Sequence, residues 1–234
     1  FCAIFVDDMI DKAMVNDSVI KPCMEIVFDD IKEELDLLDI IYTQVLPICD
    51  VDKTNNLDQL ITYLTSGYTV LLIADSEEAL YFNTKGFATR EITEVLSEKA
   101  VRGPKQGFVE SLGVNLSLLR RRIKSSDLKF KLLELGTQSK TSVCVFYMEN
   151  IASEKILEEI LNRLNKVEID GILDSFYLQE LIKDAPFSPF ETIGYTERPD
   201  VMEGKLLEGR VGILCDGSPF ALFAPFIFQE YFQD

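Results

Sequence analysis

Residues 60–82, LITYLTSGYTVLLIADSEEALYF, decide the fold class of this chain. A helical pattern runs up to Gly67, an apolar strand follows, and a polar turn leads into a second strand. Glycine suits the left-handed backbone conformation that often ends a helix. Two strands joined by so tight a turn should pair antiparallel. The segment therefore predicts a helix packed against antiparallel strands in a mixed α/β fold.

The same order recurs in residues 205–224, KLLEGRVGILCDGSPFALFA, where Gly209 takes the place of Gly67. The preceding parts of the chain also repeat. FCAIFVDDMIDKAMVNDSVIKPCMEIVFDDI at residues 1–31 and VCVFYMENIASEKILEEILNRL at residues 143–164 both begin with a short apolar strand, followed by acids and a helical pattern. The equivalent positions include Cys2 with Cys144 and Asp7 with Glu149.

This duplication predicts two similar mixed α/β lobes with a cleft between them. The predicted bounds are 1–104 for the first lobe and 125–234 for the second, with a basic bridging helix at 105–124. Clefts between lobes are common places for small-ligand pockets. A chance match of generic strand and helix patterns is the alternative interpretation.

The bridging segment is set apart by its charge. Residues 98–140 carry a net charge of +6. Because the whole chain carries −17, the remaining residues together carry −23. Pro104 can begin a helix, and apolar residues follow at helical spacing: Phe108, Leu112, Leu116 and Leu119. The closing RRRIK places cations where they suit the helix dipole. Nucleic-acid binding by this cluster is not expected, because a strongly acidic chain repels a polyanion.

Local signals place several further features. Asn55 or Asn56 is expected to cap the helix LDQLITYL, and Asp174 to cap SFYLQELI. A hairpin is predicted around residues 136–140, and a loop around residues 186–189.

Composition indicates a globular chain, since 47% of its 234 residues are hydrophobic. The five cysteines are odd in number and lack CxxC spacing, so we expect buried free thiols. No apolar run approaches the roughly 20 residues of a membrane-spanning helix. The start at Phe1, without methionine, is expected of a fragment of a longer protein.

Catalytic and metal-binding patterns are missing from the sequence. There is no histidine, and GxSxG, GxGxxG and GxxxxGK do not occur. Asp50 and Asp52 begin like a calcium loop, but Asn55 and Ile61 stand where glycine and glutamate are required. Asp170 and Asp174 are four residues apart, and we interpret them as structural. The predictions are no enzyme activity, no metal and no cofactor.

Four motifs carry a resemblance to a known family. They are REIT at 90–93, VRGPKQGFVESLGVNLSLLRRRI at 101–123, PFSPF at 186–190 and YTERPD at 195–200. With them, the chain resembles the soluble N-terminal domain of the A subunit of bacterial spore germination receptors, the GerA-type family, over essentially its whole length.

The resemblance implies one subunit of a three-subunit receptor with B and C subunits, located in the spore inner membrane. This domain would lie on the interior side, and the membrane would be reached through regions outside this chain. The implied role is to sense or relay a signal from a small nutrient, such as an amino acid or sugar. The alternative is a structural assembly module that forms an A-subunit homo-oligomer without binding a ligand.

The motifs also supply candidate site residues, for ligand binding or for contacts between the lobes. They are Glu91, Arg102, Gly103, Glu110, Asn115, Glu197 and Arg198. Arg102 or Arg198 would offer a planar fork to a carboxylate. The competing interpretation is an ion-pair network of Arg102, Glu110 and Arg198 that ties the lobes together.

Overall fold

The computed structural model describes residues 1–25, 37–46, 51–86, 103–184, 188 and 190–232. It divides into two compact units, Phe1–Ala88 with Lys124–Ser126, and Thr89–Ile123 with Asp127–Asp234. Each unit has its own antiparallel sheet and its own helices. The predicted mixed α/β class is therefore confirmed.

The first unit has a four-stranded sheet. Its strands are β1 (Cys2–Ile4), β2 (Val51–Thr54), β3 (Tyr68–Leu72) and β4 (Ala79–Asn83). Its helices are α1 (Lys12–Val15), α2 (Lys21–Met24), α3 (Leu37–Ile40) and α4 (Leu57–Thr65), with π-helical turns at Asn16–Ile20 and Ile41–Val45. The strands lie in the order β1-β3-β4-β2, and all neighbours are antiparallel.

The second unit has a five-stranded sheet. Its strands are β5 (Leu128–Leu135), β6 (Thr141–Met148), β7 (Gly194–Thr196), β8 (Val211–Cys215) and β9 (Ala221–Ala224). Its helices are α5 (Leu112–Arg122), α6 (Glu154–Asn165), α7 (Ser175–Ile182) and α8 (Pro199–Leu207), and a 3-10 helix follows at Phe228–Phe232. The strand order is β5-β6-β8-β9-β7, again antiparallel throughout.

The two sheets repeat each other in register, which supports the predicted duplication. Cys2 pairs with Leu72 across β1 and β3, and Cys144 pairs with Leu214 across β6 and β8, so both partners are displaced by 142 residues. The other ladders keep this displacement: Val70 with Tyr81 and Gly212 with Phe223, then Asp52 with Tyr81 and Gly194 with Phe223. The helices α4 and α8 are displaced equally. A chance match of generic patterns would not preserve register across three ladders.

Alternation along the strands gives the second sheet two buried faces. One face packs Val143, Val145 and Ile213 against α6 and α7. The opposite face packs Phe146 and Leu214 against α5 and α8. A one-residue slip would exchange these two sets of side chains.

Several local predictions are confirmed. The Asn56 carboxamide accepts hydrogen bonds from the amides of Asp58 and Gln59, which caps α4. The Asp174 carboxylate accepts from the Tyr177 amide at 2.8 Å and caps α7. The hairpin of β5 and β6 and the tight turns before β4 and β9 form as expected.

Two predictions are wrong. The basic helix does not begin at Pro104 but at Leu112, after Ser111; Phe108 is buried ahead of the helix, and its amide donates to the Glu197 carbonyl. Cys2 is exposed because β1 is an edge strand, whereas Cys23, Cys144 and Cys215 are buried and free as predicted. Cys49 lies outside the described residues.

Helix α5 packs within the second unit. The sequence had assigned it to a separate bridging segment. The predicted lobe bounds of 1–104, 105–124 and 125–234 and the predicted cleft stay predictions.

Gly67 and Gly209 end α4 and α8 with φ of 86° and 87°, as the sequence predicted. A Cβ on Gly209 would also lie 3.0 Å from the Ile151 carbonyl oxygen. We expect Gly209→Ala to lower the free energy of unfolding by about 1–2 kcal/mol, because L side chains disfavour this conformation. Urea unfolding monitored by circular dichroism measures the change.

Gly204→Ala is the matched control. Gly204 lies inside α8, and a Cβ there would meet nothing within 4 Å. This change should stabilise the protein by about 0.5–1 kcal/mol, because alanine restricts the unfolded chain more than glycine does. Equal effects of the two substitutions would contradict the assignment of strain to Gly209.

Candidate functional site

The site residues predicted from the motifs lie in different parts of the chain, and the structure describes only some of them. Glu91 and Arg102 lie outside the described residues. Gly103 adopts φ of 134°, a conformation that favours glycine. The remaining four lie around the start of α5 and the start of α8: Glu110, Asn115, Glu197 and Arg198.

Asn115 holds the segment that leads into α5. Its side chain is fully buried. The Oδ1 atom accepts from the Val109 amide at 2.8 Å, and Nδ2 donates to the Val109 carbonyl at 2.5 Å. Both polar atoms of the carboxamide thus bond to the main chain of Val109, which gives Asn115 a structural role.

Backbone hydrogen bonds connect the same segment to the YTERPD motif and to the turn between β8 and β9. The Phe108 amide donates to the Glu197 carbonyl at 2.8 Å, and the Gly217 amide donates to the Glu110 carbonyl at 2.8 Å. The Asp216 carboxylate accepts from the Leu112 amide at 2.9 Å and so caps α5 from the turn between β8 and β9. The motifs at 101–123 and 195–200 are therefore in direct contact.

Two ion pairs complete this arrangement. Arg198 donates from Nε at 3.2 Å and from Nη2 at 2.5 Å to the two oxygens of Asp200. Arg122 at the end of α5 donates to Glu203 of α8 at 2.7 Å. We call Asn115, Arg122, Arg198, Asp200 and Glu203 the α5–α8 brace.

Electrostatics favour the ionised form of Asp200. Burial raises the pKa of its carboxyl group, but hydrogen bonds and charge from Arg198, with a contribution from Arg122, outweigh burial and lower that pKa below its ordinary value. The fork of Arg198 that the sequence offered to a ligand carboxylate is thus engaged by Asp200.

The basic cluster at the end of α5 also makes internal contacts. Arg120 lies over the Phe130 ring at 4.6 Å, and burial lowers the pKa of its guanidinium. Arg122 is held by Glu203. These contacts account for two of the three consecutive arginines within the second unit.

A pocket lies on the opposite face of the second sheet. It encloses about 390 Å³, within the range of small-ligand sites. Apolar side chains of α6, of α7, of the residue before β7, and of the end of β9 and the segment after it form most of its wall: Ile156, Ile160, Ile182, Ile193, Ala224 and Phe226.

Charged groups line one side of the pocket. Arg163 donates to Glu159 at 2.7 Å, to the Ile182 carbonyl at 2.8 Å and to Asp184 at 2.5 Å. Hydrogen bonds from Arg163 lower the pKa of Asp184 against the opposing effect of burial. Lys155 also lines the pocket and, among the described residues, makes no ion pair. The pocket thus combines apolar walls with one available cation.

Sequence reasoning missed this pocket. Its only local signal is the pair of Glu159 and Arg163, four residues apart on a helix, which is the common spacing of a surface ion pair. Asp184, Ile193 and Ala224 join them only through tertiary structure. Within the described ranges, no group of three potential metal ligands occurs and no helix is long and apolar enough to cross a membrane.

Replacing Asn115 tests the structural role of the brace. Asn115→Ala leaves the Val109 amide and carbonyl without their partner, so we expect a loss of about 1–3 kcal/mol in the free energy of unfolding. Ser117→Ala on the same helix is the control, since that hydroxyl donates only to the Val114 carbonyl three residues earlier. Chemical denaturation of both variants measures the difference, and equal losses would contradict this role.

The lowered pKa of Asp200 predicts a pH dependence of stability. Its ionised form contributes stability above the ordinary carboxyl pKa of about 3.9, and this contribution is lost as pH falls through the lower pKa of the folded state. Asp200→Asn should therefore be less stable than the parent at pH 7, and the gap should narrow towards about pH 2. Urea midpoints across this range test the prediction, with the exposed Glu168→Gln as control. A gap that stays constant with pH would contradict it.

Comparison with known proteins places this geometry in a family. The sequence-family model described as Bacillus/Clostridium GerA spore germination protein matches residues 1–234. Spore germination protein KA of Bacillus subtilis (strain 168) is 37% identical over 230 residues, covering 98% of this chain and 42% of that protein. Spore germination protein B1 of the same strain is 43% identical over 181 residues, covering 77% and 37%. The chain thus spans less than half the length of these relatives.

A solved structure shows the same fold. The crystal structure of the N-terminal domain of the A subunit of the Bacillus megaterium spore germinant receptor GerK3 matches with a TM-score of 0.73 and 32% identity. The match covers 97% of this chain and 82% of the solved chain. Sequence, whole-chain coverage and fold agree, and the chain belongs to the GerA family of spore germination proteins.

Proposed function

We propose that this chain is the part of a germinant receptor A subunit that senses or relays a small-nutrient signal, and that it acts without catalysis. Family membership supports the role in germination. The pocket on α6 and α7 is the observation that carries the sensing role, because it joins apolar walls to a cation. An amino acid suits this chemistry, with its carboxylate at Lys155 and its side chain against the isoleucines.

Strand β7 connects the pocket to the brace. Thr192 and Ile193 line the pocket immediately before β7, and Glu197 and Arg198 follow its end. A ligand that shifts this strand would act on the Phe108–Glu197 hydrogen bond and on the Arg198–Asp200 pair. To relay a signal in this way, the ligand must stabilise one position of β7 more than another.

The second candidate is an assembly module that forms an A-subunit homo-oligomer without a ligand of its own. It is favoured by the brace, because the motif residues Asn115 and Arg198 are engaged in internal contacts. Exposed apolar side chains in the second unit would suit a protein partner: Leu132, Leu173, Phe190 and Phe232.

Partners and location belong to the same proposal. They rest on the resemblance and on the likeness to GerK3, whose solved domain belongs to the A subunit of a spore germinant receptor. We place the chain with B and C subunits at the spore inner membrane, on its interior side, attached through regions outside this chain. No nucleic-acid partner is proposed.

Chemical-shift perturbation of the chain with amino acids, sugars and inorganic ions separates sensing from assembly. We expect an amino acid to shift signals of Ile156, Ile160 and Ile193 with millimolar affinity, since so small a ligand has few atoms with which to bind. Lys155→Gln should weaken this binding several-fold, because it removes the cation that faces the carboxylate.

Lys166→Gln is the matched control, since Lys166 is exposed at the end of α6 and does not line the pocket. Binding unaffected by Lys155→Gln would remove the pocket from the proposal. A complete lack of shifts with every compound would favour the assembly module.

A further inference from the structure

The 3-10 helix at Phe228–Phe232 has its side chains arranged opposite to the usual pattern. Phe228 and Phe232 are 59% and 76% exposed, whereas the side chain of Glu230 is only 6% exposed. Apolar side chains are normally the buried ones, and a carboxylate is rarely buried unless it is paired. A charged group, and not the two phenylalanines, therefore anchors this helix to the rest of the second unit.

Two cations hold Glu230. Its carboxylate accepts hydrogen bonds from Lys205 Nζ, from Arg210 Nη1 at 3.4 Å and from the Ile227 amide at 2.7 Å. Arg210 also donates to the Pro225 carbonyl. Burial raises the pKa of this carboxyl group, but the hydrogen bonds from Ile227 and Lys205 and the two positive charges outweigh burial and lower that pKa below its ordinary value. Glu230 is thus ionised at neutral pH and fastens this part of the chain to α8 and to the residue before β8.

The other side of the same segment contacts the residues just before β7. The Phe226 amide donates to the Thr192 carbonyl at 2.8 Å, and the Tyr231 hydroxyl accepts from the Glu191 amide at 2.5 Å. Aromatic rings add to these contacts, since the centroid of the Tyr231 ring lies 4.9 Å from that of Phe226 and 6.1 Å from that of Phe190. The segment thus connects the two cations with the chain that enters β7.

The same residues form one wall of the pocket. Pro225 and Phe226 line it, and so do Thr192 and Ile193. Two side chains of this wall, Ala224 and Ile193, are only 8% and 5% exposed. Displacement of the segment would take Pro225 and Phe226 out of the wall and increase the exposure of the side chains beside them.

We propose that residues 225–232 form a strap that closes one side of the pocket, and that the ion cluster of Glu230, Lys205 and Arg210 is its latch. The closed strap completes the pocket and holds the chain that enters β7. Because few apolar side chains anchor the strap, it opens as a local unit while the sheet stays folded. A ligand in the pocket favours the closed strap, and the closed latch in turn strengthens ligand binding. This regulation rests on the ligand site of the proposed function, whereas the latch itself needs no ligand.

Glu208 provides an internal comparison for the latch. Its carboxylate lies 3.9 Å from Lys205 Nζ and 3.7 Å from Arg210 Nη2, but its side chain is 59% exposed. Exposed ion pairs contribute little, because water and salt screen them. Removing one partner of a buried ion pair leaves the remaining charges uncompensated. The latch is therefore assigned to Glu230 and not to Glu208.

The test reads opening of the strap without any ligand. Ala224→Cys places a thiol in the pocket wall, and its rate of alkylation is measured by mass spectrometry of the peptide that carries it. Adding Glu230→Gln should raise this rate about tenfold or more, and should speed amide hydrogen exchange in residues 190–193 and 225–232. Glu208→Gln is the matched control and should change these rates by less than about twofold.

A milder substitution gives an independent reading. Tyr231→Phe keeps the ring and removes only the hydroxyl that bonds to the main chain of Glu191. We expect it to raise alkylation of the pocket thiol by about two- to fivefold. Cys144 is fully buried in β6 and reports opening of the whole unit, so its alkylation should be the same in every variant.

Either of two results would overturn the strap. Equal alkylation of the pocket thiol in Glu230→Gln and Glu208→Gln would show that Glu230 latches nothing. A rise at Cys144 as large as that at the pocket thiol would show that Glu230 stabilises the whole unit instead of a local strap. A strap that opens as expected in a chain that binds no amino acid would confirm the latch and count against the proposed sensing role alone.

Discussion

The register of the antiparallel ladders is the constraint on which the rest of the second unit depends. Side chains alternate along β6, so Val143 and Val145 face α6 while Cys144 and Phe146 face α5. A slip by one residue would exchange these faces and leave both helical layers without their partners. Gly212 belongs to the same constraint, because a Cβ there would lie 2.3 Å from the Phe146 ring. The large ring at the centre of the sheet thus requires a glycine opposite it.

The register also connects the two candidate roles of the molecule. The pocket lies on the face that carries α6 and α7, and the α5–α8 brace lies on the other. Strand β7 lies at the edge of the sheet, next to β9. Ile193 of the pocket precedes this strand, and Arg198 of the brace follows it. Four residues separate Ile193 from Arg198, so a displacement at Ile193 has a short covalent path to Arg198. Arg198 adjoins the end of β7, where its amide donates to the Thr196 hydroxyl and its guanidinium pairs with Asp200.

The duplication explains why the two units share a strand order. They differ in the elements that lie beside that shared sheet. The order β1-β3-β4-β2 of the first sheet corresponds to β6-β8-β9-β7 of the second. Helices α4 and α8 both end at a glycine with φ near 87°. The second unit also contains α5 and β5, which have no counterpart among the described residues of the first unit, and α5 carries the arginines of the motif at residues 101–123. The most distinctive sequence in the chain therefore belongs to the elements that break the symmetry.

Local chemistry in the sequence determined the class of fold and many of its details. Gly67 and Gly209 fix helix ends because few other residues tolerate positive φ, and Asn56 and Asp174 cap helices with partners two or three residues away. The start of α5 was misplaced because Pro104 permits a helix, whereas Asp216, more than a hundred residues away in the chain, caps the one that forms. The pairing of Arg198 with Asp200 was also missed, since the motif alone does not show which carboxylate its fork will meet. The pocket was decided by tertiary structure alone, because Lys155, Asp184 and Ala224 come from elements that meet only when the sheet is assembled in register.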